Sequence, residues 1–246
     1  MATTLAKAGA TLILSGRDEE ELKKLAASLP GSGHEAQDAD FAAIGAANEL
    51  ANRAGHVDIL VNNAALPATG RLADFSEEEL SRAIQVNLEA PIQLTKALLP
   101  AMMDRGEGKI VLIGSLAGKV SSPYSSMYNA TKFGIRGFAF GLRADLEGTG
   151  VGITVVAPGF VAEAGMFADS GADTPPGMGT TTPAKVADAV VEAIKGNKGE
   201  IAVAPLVQRA GAHLGLVSPS LSHRLQSGKA GQKAAGDLAK GQKDKR

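Results

Sequence analysis

Short apolar runs without polar alternation, separated by longer stretches of helical period, constrain this 246-residue chain more than any other feature. Residues 11–15 (TLILS), 57–62 (VDILVN), 109–115 (KIVLIGS), 152–157 (GITVVA) and 200–204 (EIAVA) read as strands. A strand with one wet face would alternate with a period of two, so these runs are expected to be covered on both faces. Residues 34–39 (HEAQDA) form a weaker candidate. Helix start signals stand between the runs. Asp18 can cap a helix carrying Leu22, Leu25 and Leu29, and Ser76 with Glu79 makes a capping box ahead of Leu80, Ile84 and Leu88. Thr182 followed by Pro183 joins an N-cap to a proline at the first helical position, before Val186, Val190 and Ile194. Alternating strands and helices predict an α/β fold with a doubly wound parallel sheet.

Composition removes several function classes. An apolar fraction of 44% with 21% charge can bury a full core, and 25 Lys plus Arg against 26 Asp plus Glu leave no overall basic footprint for nucleic acid or anionic lipid. With no Cys, disulfides, thiolate catalysis and Cys-based metal sites are out. His34, His56, His213 and His223 lack metal-ligand spacing, so no metal is expected. No apolar run reaches the roughly eighteen residues of a membrane span, and Lys7 interrupts the stretch nearest the start, so the expectation is a cytoplasmic α/β protein.

Two segments break the alternation. Residues 160–182 (FVAEAGMFADSGADTPPGMGTTT) form a long Gly/Pro/small-residue connection that reads as a lid. Residues 228–246 are low-complexity and basic, with six Lys or Arg against two Asp. They are expected to be a disordered tail behind a single domain over 1–227, with a weak contact to an anionic surface as the smaller alternative.

The candidate chemistry gathers at the carboxyl ends of the strands. Tyr128 and Lys132, four apart in YNATK, share one helix face, where a cation is expected to lower the phenol pKa toward neutrality. Ser115 ends the run 109–115 and can either donate to a carbonyl oxygen that gains charge or cap the following turn. Asn62, Asn63, Ala64 and Ala65 follow another strand, where amides can bond backbone or ligand and small residues admit a ring. Pro158 and Gly159 end a third, while Asn87 sits inside the helix that Ser76 begins.

The ordered set NNAA (62–65), VNL with Asn87, IGS with Ser115, YNATK and APG (157–159) resembles the short-chain dehydrogenase/reductase family over roughly residues 1–204. The resemblance implies a Rossmann-type fold, three-layer α/β/α, and hydride transfer between a nicotinamide and a carbonyl or alcohol carbon. It makes Tyr128 the general acid or base, has Lys132 hold the nicotinamide ribose, and gives Ser115 the carbonyl. Asn87, through its backbone, would anchor a water that relays protons to Lys132. Asn62, Ala64, Pro158, Gly159 and Val161 would join Tyr128 and Lys132 around the cofactor. Ser15, Gly16 and Arg17 stand where the adenosine ribose is expected. With Gly16 in place of an acid and a guanidinium next to it, NADP(H) is expected over NAD(H), the alternative being a solvated loop charge at Arg17. Asp40 with Phe41 resembles the family's adenine-contacting pair, and Asp38 is a rival. Helices starting near Ser76 and Ser122 resemble those through which family members form homodimers or homotetramers.

The sequence also departs from the family. No Gly-rich turn follows a first strand: residues 1–9 (MATTLAKAG) already resemble the later part of the helix behind that turn. The missing strand would be central in the order 3-2-1-4-5-6, so a gap or a new pairing is expected in the sheet. Either the natural chain begins upstream of Met1, which the complete catalytic set favours, or it is shortened and binds NADP(H) weakly or not at all. Ala65 stands for a usual glycine, and Ala162 with Glu163 where a threonine is common. The leading reading is an oxidoreductase for an apolar carbonyl/alcohol substrate, the alternative a non-catalytic protein acting by interaction or assembly. A hydrolase built on Ser115 lacks a placed His and a G-x-S-x-G elbow.

Overall fold

The computed structural model describes residues 1–245, with backbone alone at 229 and 230. A short helix α1 (Ala2–Lys7) leads to strand β1 (Ile13–Gly16), helix α2 (Glu19–Ser28), strand β2 (Glu35–Asp38), helix α3 (Ala46–Ala54) and strand β3 (Ile59–Asn62). Helix α4 (Glu77–Ile84) runs through a π-helical turn (Gln85–Glu89) into α5 (Ala90–Arg105). Strand β4 (Gly108–Ile113), helix α6 (Ser126–Asp145), strand β5 (Val151–Pro158), helix α7 (Pro183–Lys195) and strand β6 (Glu200–Val203) complete the alternation. Three further helices follow: α8 (Leu206–Val217), α9 (Pro219–Gln226) and α10 (Lys229–Gly241).

The start signals act as expected. Asp18 accepts from the Glu21 N–H, Ser76 and Glu79 close a complete capping box, and Thr182 accepts from the Lys185 N–H. Every strand pairing is parallel, and all eight residues of β5 are buried, as a strand covered on both faces requires.

The sheet is divided. β1 pairs only with β2, while β3, β4, β5 and β6 form a second sheet in that order. Of the two expected outcomes, a gap or a new pairing, the described residues adopt the gap, which leaves β1 and β3 each with an edge that no other strand pairs. The halves are joined by side chains instead: Phe41, Leu50 and Ala51 share one apolar core with Leu94 and Leu98 of α5 and with Ile110 and Leu112 of β4. On the other side, Met1 and Leu5 pack into the cluster of Val186 and Val190 from α7.

The expectation of a disordered tail over 228–246 is not what the structure shows. α10 lays Ala239 and Gln242 against the 160–182 loop, and Gln242 Nε2 donates to the Met166 carbonyl at 3.1 Å. Gly241 allows that approach, because a Cβ there would overlap the Ser170 carbonyl. Low complexity concealed a spaced set of small and apolar residues, Ala235, Leu238 and Ala239, on one helical face that ends at the buried amide of Gln242.

In a parallel ladder, alternate residues of a strand address opposite neighbours. Asp58 accepts from Lys109 of β4, so the N–H groups of Ile59 and Val61 point toward the open edge and those of Leu60 and Asn62 toward β4. Hydrogen exchange followed by NMR is predicted to show Ile59 and Val61 exchanging orders of magnitude faster than Leu60 and Asn62. Equal protection at all four amides would mean that the edge is paired.

Candidate active site

The site is assembled where α6 crosses the end of β4. Beyond Ile113 the chain turns at Gly114, whose Cβ would stand 2.7 Å from Val155 Cγ1. Ser115 then begins a 3₁₀ turn (Leu116–Gly118), and its Oγ accepts from the Ala117 N–H at 3.1 Å. The turn-capping reading of Ser115 is therefore realised, and the same side chain lies close enough to the Tyr128 phenol to act on its pKa. Two contacts hold α6 against this turn. Gly118 touches the Lys132 backbone so closely that a Cβ would lie 2.6 Å from the carbonyl oxygen. Asn129 Nδ2 donates to the carbonyls of Ala117 and Val120 at 2.6 and 2.8 Å.

Lys132 is only 3% exposed, yet it carries an amine. Its Nζ donates to the Ile113 carbonyl at 3.0 Å and lies 5.7 Å from the centroid of the Tyr128 ring. Burial lowers the Lys132 pKa to about 8. It also raises that of Tyr128, with the Ser115 hydrogen bond pulling the other way. The sequence-based expectation of a phenol acidified by its lysine is thus reversed here, because desolvation disfavours the charged form of each group.

Asn87 is 1% exposed within the π-helical turn. Its Oδ1 accepts from the Leu66 N–H at 2.6 Å and its Nδ2 donates to the Leu66 carbonyl at 2.9 Å. The side chain therefore fixes the loop after β3. Lys132 bonds the Ile113 carbonyl, so the relay expected between Asn87 and Lys132 is not a direct contact. Gly134 brings α6 close to the same turn, since a Cβ would lie 2.9 Å from Leu88.

Several of the residues expected around a cofactor lie at or just after the carboxyl ends of β1, β2 and β3. Ser15 Oγ and Asn62 Nδ2 are buried and without hydrogen-bond partners among the described residues, at the carboxyl ends of β1 and β3. Arg17 is exposed, with no ion pair among the described residues, and Asn63 and Ala64 are exposed as well. Asp40 is exposed and accepts from the Ala42 N–H, whereas its rival Asp38 is engaged by Arg53. Phe41, expected beside an adenine, belongs to the core at 9% exposure. The unpartnered atoms, with Arg17 beside them, fit the ribose portions of a dinucleotide. The β1–α2 turn does not fit a pyrophosphate: it opens onto Glu19, Glu20 and Glu21.

Sequence reasoning passed over Gln208. This buried side chain of α8 accepts from the Phe160 N–H at 3.2 Å and donates to the carbonyls of Met178 and Gly179 at 3.2 and 2.8 Å. It ties together the two ends of the 160–182 loop, where Val161 also bridges to Thr181. Gly159 packs beneath it, since a Cβ would overlap Gln208 Oε1, and Pro158 is buried at the end of β5. The available signal was the spacing Gln208, Ala212, Gly215, which sets one polar side chain on the small-residue face of a helix.

A parallel α/β fold with Ser, Tyr and Lys converging at the carboxyl edge of its sheet defines a class of nucleotide-dependent oxidoreductases. The short chain dehydrogenase family model matches residues 1–175, and the chain belongs to the short-chain dehydrogenase/reductase family. It is 37% identical to the ketoacyl reductase HetN of Nostoc sp., covering 82% of this chain and 73% of that protein. It is 32% identical to dehydrogenase/reductase SDR family member 7B of Bos taurus, covering 91% and 74%. Among solved structures, the closed form of serine dehydrogenase complexed with NADP+ superposes with a TM-score of 0.72 at 29% identity, covering 82% and 88% of the two chains.

Lys132 supplies a stability test. Its folded pKa of about 8 lies below the ordinary 10.5, so between these values the unfolded chain holds more protons and stability rises as pH climbs. The gain is at most about 3 kcal/mol at 1.36 kcal/mol per pKa unit. Urea unfolding at pH 8 and pH 10 is predicted to show this rise in the wild type and not in Lys132→Met; equal slopes would rule out a desolvated lysine.

Proposed function

We propose that the chain transfers a hydride between NADP(H) and the carbonyl or alcohol carbon of an apolar small molecule. The observation that carries this reading is the buried Lys132 amine 5.7 Å from the centroid of the Tyr128 ring, with the Ser115 side chain acting on the same phenol. When bound, the nicotinamide supplies the hydride, and the protein supplies positioning and a proton. In reduction, Ser115 polarises the substrate oxygen and Tyr128 gives it a proton from the phenol; in oxidation the same group takes the proton back. A phenol whose pKa burial raises retains its proton near neutral pH, which suits the acid role. Lys132 holds the ribose hydroxyls, and a polar or anionic group brought beside it restores the ammonium that burial disfavours. Asn87, with its side chain committed to Leu66, has only its backbone for the water relay.

Arg17 would meet a 2′-phosphate, with Ser15 beside the same ribose and Asp40 next to the adenine. Asn62, Ala64, Pro158, Gly159 and Val161 line the remaining path. Preference for NADP(H) is supported by the free guanidinium of Arg17 and by the NADP+ complex of the structural neighbour. A carbonyl substrate agrees with the name of the ketoacyl reductase relative. Phe160, which packs on Phe167 at 4.8 Å between ring centroids, and Met166 and Met178 give the loop an apolar lining. Exposed Met103 on α5 and Phe133 and Phe140 on α6 support pairing into a homodimer or homotetramer through those helices.

The open edges of β1 and β3 favour one other reading, a family member that holds no cofactor and acts by assembly. Fluorescence titration with NADPH separates the two, since saturable binding is expected only of the oxidoreductase. Given binding, Tyr128→Phe is predicted to lower turnover at least about 100-fold while leaving NADPH affinity nearly unchanged. Arg17→Ala is predicted to reduce the preference for NADPH over NADH by about tenfold or more, as expected for the loss of a charge-assisted phosphate contact. An unchanged preference would remove Arg17 from the phosphate site.

A further inference from the structure

Helices α8 and α9 carry an apolar surface that the oxidoreductase reading leaves unexplained. α8 buries Gln208, Ala212 and Gly215 on its inner face. Its outer face presents Leu206 and Val217, 78% and 71% exposed. These two residues are eleven apart, or three helical turns, so they lie on one line about 16 Å long, with Val207 and Leu216 flanking it. α9 packs beside α8 and exposes Leu221 and Leu225, at i and i+4 on one face.

The charges carried by these two helices have one sign. From Ile201 to Gly236 the sequence contains no Asp or Glu, and Arg209 and Arg224 are exposed on the two helices. The net charge of −1 conceals a division: residues 205–246 hold eight Lys or Arg against two Asp, a net +6, and residues 1–204 are left at −7. An exposed apolar face on two helices that carry cations and no acid of their own has the composition of a helix that lies in the interface of an anionic bilayer. Isologous pairing of two copies through this face would set like charges together, and a nucleic acid would leave the leucines unused. We infer that α8 and α9 form an interfacial patch by which this protein rests on anionic membrane surfaces. Leucine and valine enter the acyl boundary, and Arg209 and Arg224 meet lipid phosphates and carboxylates.

Binding is read without turnover, so this inference stands apart from the oxidoreductase reading. The full chain is sedimented with vesicles of phosphatidylcholine alone and with vesicles of phosphatidylcholine plus phosphatidylserine, at low and at high salt. Partition is expected only with the serine lipid, and it should fall as salt rises. Arg209→Gln with Arg224→Gln should weaken it about 25-fold, at about fivefold per charge, and Leu221→Ser with Leu225→Ser at least about tenfold. All four side chains are exposed, so both variants should keep the circular dichroism and Tm of the wild type. The inference is overturned by absence of partition with either vesicle, by equal partition with both, or by variants that partition as the wild type does. It is equally overturned by light scattering that finds a dimer dissolved by the leucine changes, which would assign the face to a second copy.

Discussion

The backbone approach of α6 to the turn after β4 is the contact on which the candidate site depends. Gly118 lies so close to the Lys132 carbonyl that no side chain fits between them, and Asn129 fills the adjacent space with two donated hydrogen bonds. With the helix held there, the positions of Tyr128 over Ser115 and of the Lys132 amine under Ile113 follow without further freedom. Proximity also has an electrostatic cost. The packing that fixes these groups removes their water, so phenol and amine both lean toward neutrality. The result is a phenol that keeps its proton beside an amine that gives its proton up more readily, and the charge state of both responds to whatever polar group comes to lie beside them.

The divided sheet shows how little backbone pairing the two halves share. β1 and β2 form a two-stranded unit, which has marginal stability by itself. It is retained by apolar side chains: α3 packs on α5, and Phe41 enters the common core. Hydrophobic burial is not directional, so it holds the halves together and leaves the edges of β1 and β3 unmatched. The unpartnered Ser15 Oγ and Asn62 Nδ2 lie at the ends of those same strands. Two of the buried polar atoms left without a partner among the described residues therefore stand where a ligand is expected, and others, such as Gln93 Oε1 and Gln242 Oε1, lie elsewhere.

What could be read from the sequence was local chemistry. Strands buried on both faces betray themselves by unbroken apolar runs, and Asp18, Ser76 and Thr182 cap helices through bonds spanning three residues. The strand at 34–39 read weakly because β2 is half-exposed and carries charge. Composition could not reveal α10, since its docking depends on Gly241 meeting a carbonyl 71 residues earlier in the chain. Gln208 was hidden for the same reason: its partners are 29 to 48 residues away. The direction of the Tyr128 shift was misjudged because helical spacing shows that a lysine is near and not that both groups are buried. Motif order, by contrast, singled out Ser115, Tyr128 and Lys132, which the fold brings close together.

The 160–182 loop is fastened by two contacts of unequal strength. Gln208 bonds both of its ends from a buried position, where an amide left without partners would pay its full desolvation cost. Along the middle of the loop, the residues just after α10 offer hydrogen bonds from Gln242 to the Met166 carbonyl and from Lys245 to the Asp169 carbonyl, and an exposed ion pair between Lys245 and Asp169, 3.7 Å apart. An exposed pair of that kind contributes little and weakens with salt. Gln208 is therefore the firmer of the two fastenings, and it joins the Phe160 end of the loop to the Met178–Gly179 end beside Gly159.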